Sequence, residues 1–472
     1  MAILFAKTKQ GTVEGKPGWN RAISVFKGIP FAAPPIGGNR WRAPKSPAAW
    51  RGIRKCFDYG PIPYQSYQES ENDVAVSGIR TYRHPLDEDC LYLNVWTPAE
   101  TPESGLPVAI YIHGGGFHMD YAFQNKHDGE GFAKRGCIFV TISYRLGAFG
   151  FLAHPQLEKE GKGSGNYGLL DQIAAIRWVK ENIRGFGGDP DRITLIGFSG
   201  GAASVEYLCA SPLTKGLFQR AVMQSGGGFR PVFSSWAVSR SAAVSLGEAF
   251  FRYMNIETVE EGRWLGADEI LKSFIGMNQI PLFEKEEIGV DGVNYFRFTP
   301  GIDGYVLPES PIAAFLAGKH ADLDYLVGEA AGEGNRTLVA DLAWCRNQNR
   351  LGRKPTYAYY FKRIPPGAAC AFHSCEQEYM FQTLLKSDQW NYNGCDFDIS
   401  NDMADYLANF VKTGDPNGAG LTEWTPYTEQ CPRAMQFDSR REMVEIRTGA
   451  HEEELIGKLL QDQILFGLSN DS

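Results

Sequence analysis

One stretch of the sequence decides the fold, and it reads Arg192-Ile-Thr-Leu-Ile-Gly-Phe-Ser-Gly-Gly-Ala-Ala-Ser-Val-Glu-Tyr-Leu208. The apolar run Arg192–Ile196 predicts a buried strand, and the residues after Gly201 predict a helix. Between them, Gly197–Gly201 fits the pattern G-x-S-x-G, in which a sharp turn from strand to helix holds a serine clear of the sheet. The two outer glycines leave room for that turn, and the positive end of the helix dipole points at Ser199. Ser199 is therefore the candidate nucleophile, against the alternative of a glycine-rich turn that holds a serine by chance.

Five other apolar runs, each followed by turn residues, predict further strands. They are Val108–Ile112, Cys137–Ile142, Ala221–Gln224, Leu323–Val327 and Thr356–Phe361. Between the strands, Asn166–Ile183 carries apolar residues at three- and four-residue steps, which predicts a helix with one apolar side. Alternating strands and helices predict an α/β fold with a mostly parallel central sheet, covered by helices on both faces. Functional residues are then expected just after the strands, at their carboxyl ends.

The composition excludes several classes of protein. The 472 residues are 43% hydrophobic and 22% charged, as in globular proteins with a large core. The net charge of −8, without a basic cluster, argues against binding to nucleic acid or to an anionic membrane surface. The apolar runs are far shorter than the ~20 residues of a membrane span. No secretory signal is recognisable, and the nine cysteines contain no CxxC pair, which predicts a cytoplasmic protein without a zinc site.

A glycine run follows the strand predicted at Val108–Ile112, and it reads His113-Gly-Gly-Gly116. Without side chains in the way, backbone N–H groups of such a run can converge on the negative oxygen of a tetrahedral intermediate. We predict that Gly115 and Gly116 supply two donors and that the N–H of Gly200 is the third. A phosphate-binding loop would need Lys and Ser or Thr after its glycines, and Phe117 and His118 stand there instead.

A serine nucleophile needs a histidine base, and in this fold class the chain order is serine, acid, histidine. Three of the eight histidines follow Ser199. His320 precedes the acid candidates, and His451 opens an acidic run that predicts an exposed helix start. The remaining one, His373, is the predicted base.

The acid that orients the base is expected just after the strand Leu323–Val327. Two carboxylates are available there, Glu329 and Glu333. Glu333 lies between glycines, which suits a tight turn after a strand. The residue pattern favours Glu333 and leaves Glu329 open.

Further motifs occur in order along the chain. They are Phe26–Pro35, Arg40-Trp41, Glu88–Val95, Gly114–Phe117, Asn166–Gln172, Phe186–Pro190, Ser225-Gly226, Asp303-Gly304 and Thr413–Asn417. Together they resemble the type-B carboxylesterase family, which includes cholinesterases and bacterial para-nitrobenzyl-type esterases. The resemblance covers most of the chain and implies an α/β-hydrolase fold, with residues 1–472 forming a single domain.

The resemblance also implies an activity, the hydrolysis of small to medium carboxylic esters through an acyl-enzyme, without metal or cofactor. The family's nucleophile falls on Ser199, its base on His373 and its acid on Glu333. Ser225 matches a serine that supports the buried acid. An amidase, thioesterase or lactonase with the same triad is the alternative, and a non-catalytic binding module is a more distant one. The expected partner is a small-molecule ester, and the oligomeric state is not predicted.

Three positions depart from the family pattern. Phe198 stands before the nucleophile, where the family usually has Glu, and Gly200 stands after it, where Ala is usual. Gly200 retains its N–H, so the oxyanion hole is expected to persist. Cys90 lacks its usual partner, although a bridge to Cys56 stays open.

The spacing of the triad departs as well. His373 follows Glu333 by 40 residues, fewer than the family usually has. The missing part normally carries helices over the substrate gorge. We therefore expect a shortened helical cap between Glu333 and His373, a more open pocket than in cholinesterases, and no cholinesterase activity.

Overall fold

A computed structural model describes residues 2–65, 85–229, 237–279, 298–387 and 390–461, apart from the side chains of residues 335–337. The described residues form fourteen strands. These are β1 (Phe5–Lys7), β2 (Thr12–Glu14), β3 (Lys16–Pro17), β4 (Ser24–Pro30), β5 (Ile53–Lys55), β6 (Tyr92–Thr97), β7 (Leu106–Ile112), β8 (Ile138–Ile142), β9 (Gly188–Phe198), β10 (Arg220–Gln224), β11 (Asp324–Ala330), β12 (Tyr357–Phe361), β13 (Arg433–Phe437) and β14 (Arg441–Glu445).

The strands form one large and one small sheet. The large sheet has eleven strands in the order β14-β13-β12-β11-β10-β9-β7-β8-β6-β4-β3, and β1, β2 and β5 form the small one. From β8 to β13 every neighbouring pair is parallel, and both edges are antiparallel. The parallel centre brings the carboxyl ends of β7, β9, β10 and β11 to one edge of the sheet, where ligands bind in folds of this type.

Helices connect the strands. Within the described residues they are α1 (Glu130–Ala133), α2 (Gly147–Phe151), α3 (Pro155–Glu160), α4 (Tyr167–Asn182), α5 (Gly200–Ala210), α6 (Arg240–Tyr253), α7 (Val259–Trp264), α8 (Ala267–Gln279), α9 (Pro311–Leu316), α10 (Asn335–Arg350), α11 (Cys375–Met380), α12 (Gly394–Thr413) and α13 (Ala450–Leu460). No described helix is both long enough and apolar enough to span a membrane.

The mostly parallel α/β fold predicted from the sequence is confirmed. Each of the six predicted strands is present, and the predicted helix Asn166–Ile183 is α4, Tyr167–Asn182. The predicted strand Arg192–Ile196 is part of a longer one, β9, which continues to Phe198 because β7 pairs with it up to Gly197 and β10 up to Phe198. Met1 and residues 462–472, the ends of the predicted domain, lie outside the described residues.

Apolar layers cover both faces of the large sheet. Along β9 the side chains alternate, so that Leu195 packs into one layer while Ile196 and Phe198 pack into the other. Helices α4 and α5 belong to the first layer, and α11 and α12 to the second. Phe198 therefore faces the layer that contains α11, the helix that begins two residues after His373.

Buried ion pairs and free thiols complete the core. The Arg40 guanidinium donates from Nε to Glu88 Oε1 at 2.7 Å, and Arg145 binds Asp171 in the same manner. All nine cysteines lie in the described residues and are free thiols, so the bridge between Cys56 and Cys90 is not formed. The core thus relies on packing and buried charge pairs rather than on disulfides.

Candidate active site

Ser199 lies on a strained turn between β9 and α5. Its backbone has φ +53° and ψ −120°, a conformation that residues with a side chain rarely adopt. The turn is this tight because glycines flank it. A Cβ on Gly197 would lie 2.1 Å from the carbonyl oxygen of Gly201, and a Cβ on Gly201 would lie 2.1 Å from the carbonyl oxygen of Ile112. A hydrogen bond from the Ser199 N–H to the Gln224 carbonyl (2.9 Å) holds the turn against β10.

The glycine loop after β7 lies against this turn. Gly115 and Gly116 have φ +84° and +58°, in the left-handed region where glycine carries no steric penalty. The Gly116 nitrogen is 2.9 Å from the position of a Cβ on Gly200, so the two backbones are in contact. Within the described residues, the N–H groups of Gly115, Gly116 and Gly200 donate to no protein acceptor. Three backbone donors beside a partly exposed serine can stabilise a negative oxygen there.

Glu333 and His373 lie in contact beyond the end of β11, which is separated from β9 by β10. His373 Nδ1 is 3.0 Å from Glu333 Oε2, and the side chain of Glu333 is 8% exposed. Glu333 ends a short 3-10 turn, Ala331–Glu333, directly after β11. The N–H of Gly332 in that turn donates to the Ala371 carbonyl (2.8 Å), which joins the acid loop to the loop of the histidine. Glu329, the other acid candidate, is buried inside β11.

The imidazole of His373 packs on the residue before the serine. Its ring centroid is 4.6 Å from that of Phe198, with 41° between the ring planes. In this structure the imidazole forms no hydrogen bond with the Ser199 hydroxyl; such contacts often shorten only when substrate is bound. The histidine thus packs on the residue that precedes the proposed nucleophile, a contact that the sequence did not predict because no local pattern signals it.

A second buried carboxyl lies beside the pair. Ser225 Oγ donates a hydrogen bond to Glu376 Oε1 at 2.6 Å. Burial and the adjacent negative charge of Glu333 raise the pKa of Glu376 to about 7, although the Ser225 hydrogen bond and His373 act in the opposite direction. The sequence predicts that Ser225 supports the acid Glu333, and it assigns no role to Glu376. The position of Glu376, three residues after His373, was the feature of the sequence that could have identified it.

The other histidines after Ser199 occupy different surroundings. His320 is buried with Nε2 2.8 Å from the Gln348 amide nitrogen, and burial lowers its pKa to about 3. His451 is exposed at the start of α13. No group of three or more His, Cys, Asp or Glu side chains in the described part of the chain is arranged to hold a metal ion.

Comparison of the sequence with known proteins identifies several similar esterases. The sequence model of the carboxylesterase family matches residues 4–351 and 339–455. The fumonisin B1 esterase of Sphingopyxis macrogoltabida is 38% identical over 70% of the chain and 56% of its own length. The para-nitrobenzyl esterase of Bacillus subtilis (strain 168) is 37% identical over 72% of the chain and 65% of its own length. The chain thus spans less than two thirds of these two relatives.

The backbone agrees with solved structures of similar proteins over almost its whole length. A solved structure of a PNB esterase superposes with a TM-score of 0.81 at 27% sequence identity, covering 96% of this chain and 99% of that one.

Proposed function

Since the chain belongs to the carboxylesterase family, we propose that it is a serine hydrolase of carboxylic esters with Ser199, His373 and Glu333 as its catalytic triad. The observation that carries the assignment is the contact between Glu333 and His373, with the imidazole packed on the residue that precedes Ser199. A base oriented by a buried acid beside a strained serine is the arrangement that acyl transfer requires.

The reaction proceeds through an acyl-enzyme. Ser199 Oγ attacks the acyl carbon of the ester, and its proton passes to Nε2 of His373. Glu333 accepts the hydrogen bond from Nδ1–H, which leaves Nε2 as the base and balances the imidazolium that forms. His373 then gives the proton to the departing alcohol as the C–O bond breaks. A water molecule repeats these steps in the second half and releases the acid and the free serine.

Backbone donors stabilise the tetrahedral intermediates. We assign this role to the N–H groups of Gly115, Gly116 and Gly200, which have no protein acceptor among the described residues. The helix α5 begins at Gly200 and adds its positive end. Loss of one such donor typically raises the barrier by ~2.7–4 kcal/mol.

We also propose one domain over residues 1–472 with a shortened cap over the pocket. In support, strands from both ends of the chain, β3 and β14, join the same sheet. The connection from Glu333 to His373 carries α10 and β12, and the His373 side chain is 48% exposed. The exposed imidazole supports an open pocket for small to medium carboxylic esters, and the names of the relatives, a fumonisin B1 esterase and a para-nitrobenzyl esterase, support ester substrates. The nine free thiols support a reducing, cytoplasmic location.

The test is hydrolysis of a para-nitrophenyl ester by matched variants. We expect Ser199→Ala to lower kcat by about 10⁴-fold or more and Glu333→Gln by about 10³-fold, as for triads elsewhere. Glu329→Gln and His451→Gln serve as controls for the acid and the base. Glu329 is buried inside β11 and His451 is exposed on α13, and we expect each variant to retain kcat within about twofold. Full activity in Ser199→Ala rejects the triad, and loss in Glu329→Gln alone moves the acid to Glu329. A panel of amides, thioesters and lactones then defines the bond that is cleaved.

A further inference from the structure

Phe198 holds a fixed position at the centre of the sheet. It ends β9, its side chain is 4% exposed, and its backbone pairs with Gln224 of β10. Backbone pairing with β10 fixes the Phe198 main chain, and the buried apolar layer around the ring limits its rotamers. Phe198 is therefore a firmly packed side chain beside the proposed triad.

The imidazole of His373, by contrast, has few constraints of its own. It is 48% exposed, and Glu333 at Nδ1 is its one polar partner among the described residues. A half-exposed side chain with a single polar contact can populate other rotamers. Its second contact is with the ring of Phe198, at a centroid distance of 4.6 Å and with 41° between the ring planes.

The same ring also touches the glycine loop. A Cβ on Gly114 would lie 3.1 Å from Phe198 Cδ1 and 3.1 Å from the Cβ of Ser199, so the Gly114 backbone packs closely against both residues. The ring thus contacts the imidazole and the loop that carries the proposed oxyanion donors.

We propose that Phe198 is a positioning residue for ester hydrolysis: its ring holds the imidazole of His373 in the orientation that serves both Glu333 and Ser199, and fixes it relative to the glycine loop. The inference deepens the proposed function and rests on it. A phenyl ring suits the task because it offers no hydrogen-bonding group that would compete with Glu333 for the imidazole. Its face also attracts the imidazolium that forms in each half of the reaction.

The role makes a kinetic prediction that separates positioning from substrate binding. Small displacements of a catalytic group can cost about 10²-fold in rate, while the affinity for substrate is little changed. For Phe198→Ala we expect kcat to fall about 10- to 100-fold with KM within about twofold. Phe198→Leu, which restores apolar bulk under the imidazole, should recover most of the lost kcat.

A matched control separates positioning from general damage to the strand. Ile196 lies on β9, is fully buried and packs into the same apolar layer as Phe198. Ile196→Ala should lower the melting temperature as much as Phe198→Ala while retaining kcat within about threefold. If Phe198→Ala does not fold, Phe198→Val removes the ring and keeps a residue that suits a strand.

The experiment measures kcat and KM for a para-nitrophenyl ester, together with melting temperatures, in these variants and in Ser199→Ala. An unchanged kcat in Phe198→Ala, a loss confined to KM, or an equal loss of kcat in Ile196→Ala would each overturn the role of Phe198. Equal hydrolysis by the wild type and Ser199→Ala would instead reject the proposed function. The two failures are therefore distinguishable.

Discussion

The buried carboxyl of Glu376 should make the protein less stable as the pH rises, and Glu376→Gln should remove that loss. The side chain is fully buried, and its pKa is raised from an ordinary value of 4.5 to about 7 by burial and by the charge of Glu333. Glutamine has nearly the same shape, stays neutral at every pH, and can still accept the hydrogen bond that Ser225 donates.

The sign and the size follow from proton linkage. A carboxyl whose pKa is higher in the folded state binds its proton more tightly there, so its contribution is fully present below the unfolded-state value. The free energy of unfolding then decreases as the pH rises from about 4.5 to about 7 and is constant above that range. A difference of this size corresponds to at most about 3 kcal/mol, because part of the shift comes from Glu333, which titrates together with Glu376.

The assay is equilibrium denaturation in urea at about pH 4 and about pH 8, on either side of the transition. At the lower pH the wild type and Glu376→Gln should have equal free energies of unfolding. At the higher pH the variant should be more stable by up to about 3 kcal/mol. Glu257→Gln, at an exposed position, is the matched control and should follow the wild type throughout. A variant that gains nothing between the two conditions would show that Glu376 is ionised in the folded protein at low pH, and the reasoning would be wrong.

Two further substitutions test the packing and the buried charges. Gly114→Ala places a methyl group 2.9 Å from the carbonyl oxygen of Phe198 and 3.1 Å from the Cβ of Ser199, so the turn at the serine must shift. The kcat for a para-nitrophenyl ester should therefore fall about 10-fold, whereas Gly457→Ala, which faces open space, should leave it unchanged. Glu88→Gln leaves the buried guanidinium of Arg40 without its countercharge and should lower the free energy of unfolding by about 3–5 kcal/mol. A loss under about 1 kcal/mol in urea denaturation would mean that water reaches this pair.

Features governed by neighbours in sequence were predictable. The strained turn at Ser199 follows from the glycines at both ends of Gly197–Gly201, because only glycine permits the close backbone contacts found there. The helix α4 and the central strands follow from the spacing and length of their apolar runs. The antiparallel edge strands, such as β14, were not predicted, since an edge strand pairs on one side only and its sequence is not uniformly apolar.

Local sequence patterns did not predict the surroundings of the proposed base, His373. Residue types left Glu329 as an alternative to Glu333, and only the fold puts one of them 3.0 Å from His373 and the other inside β11. The structure likewise places the Ser225 hydroxyl on Glu376, where the sequence analysis expected support for Glu333. Each of these contacts joins segments that are far apart along the chain.

By itself the sequence determined the fold class, the turn that presents Ser199 and the glycine loop, because each depends on backbone conformations and apolar periodicities encoded within a few consecutive residues. Only the tertiary structure decided that the imidazole of His373 rests on Phe198 and that a second carboxyl, Glu376, is buried beside Glu333. Such distances are set by how the crossovers between parallel strands bring separate strand ends to one edge of the sheet, and no short-range rule specifies them.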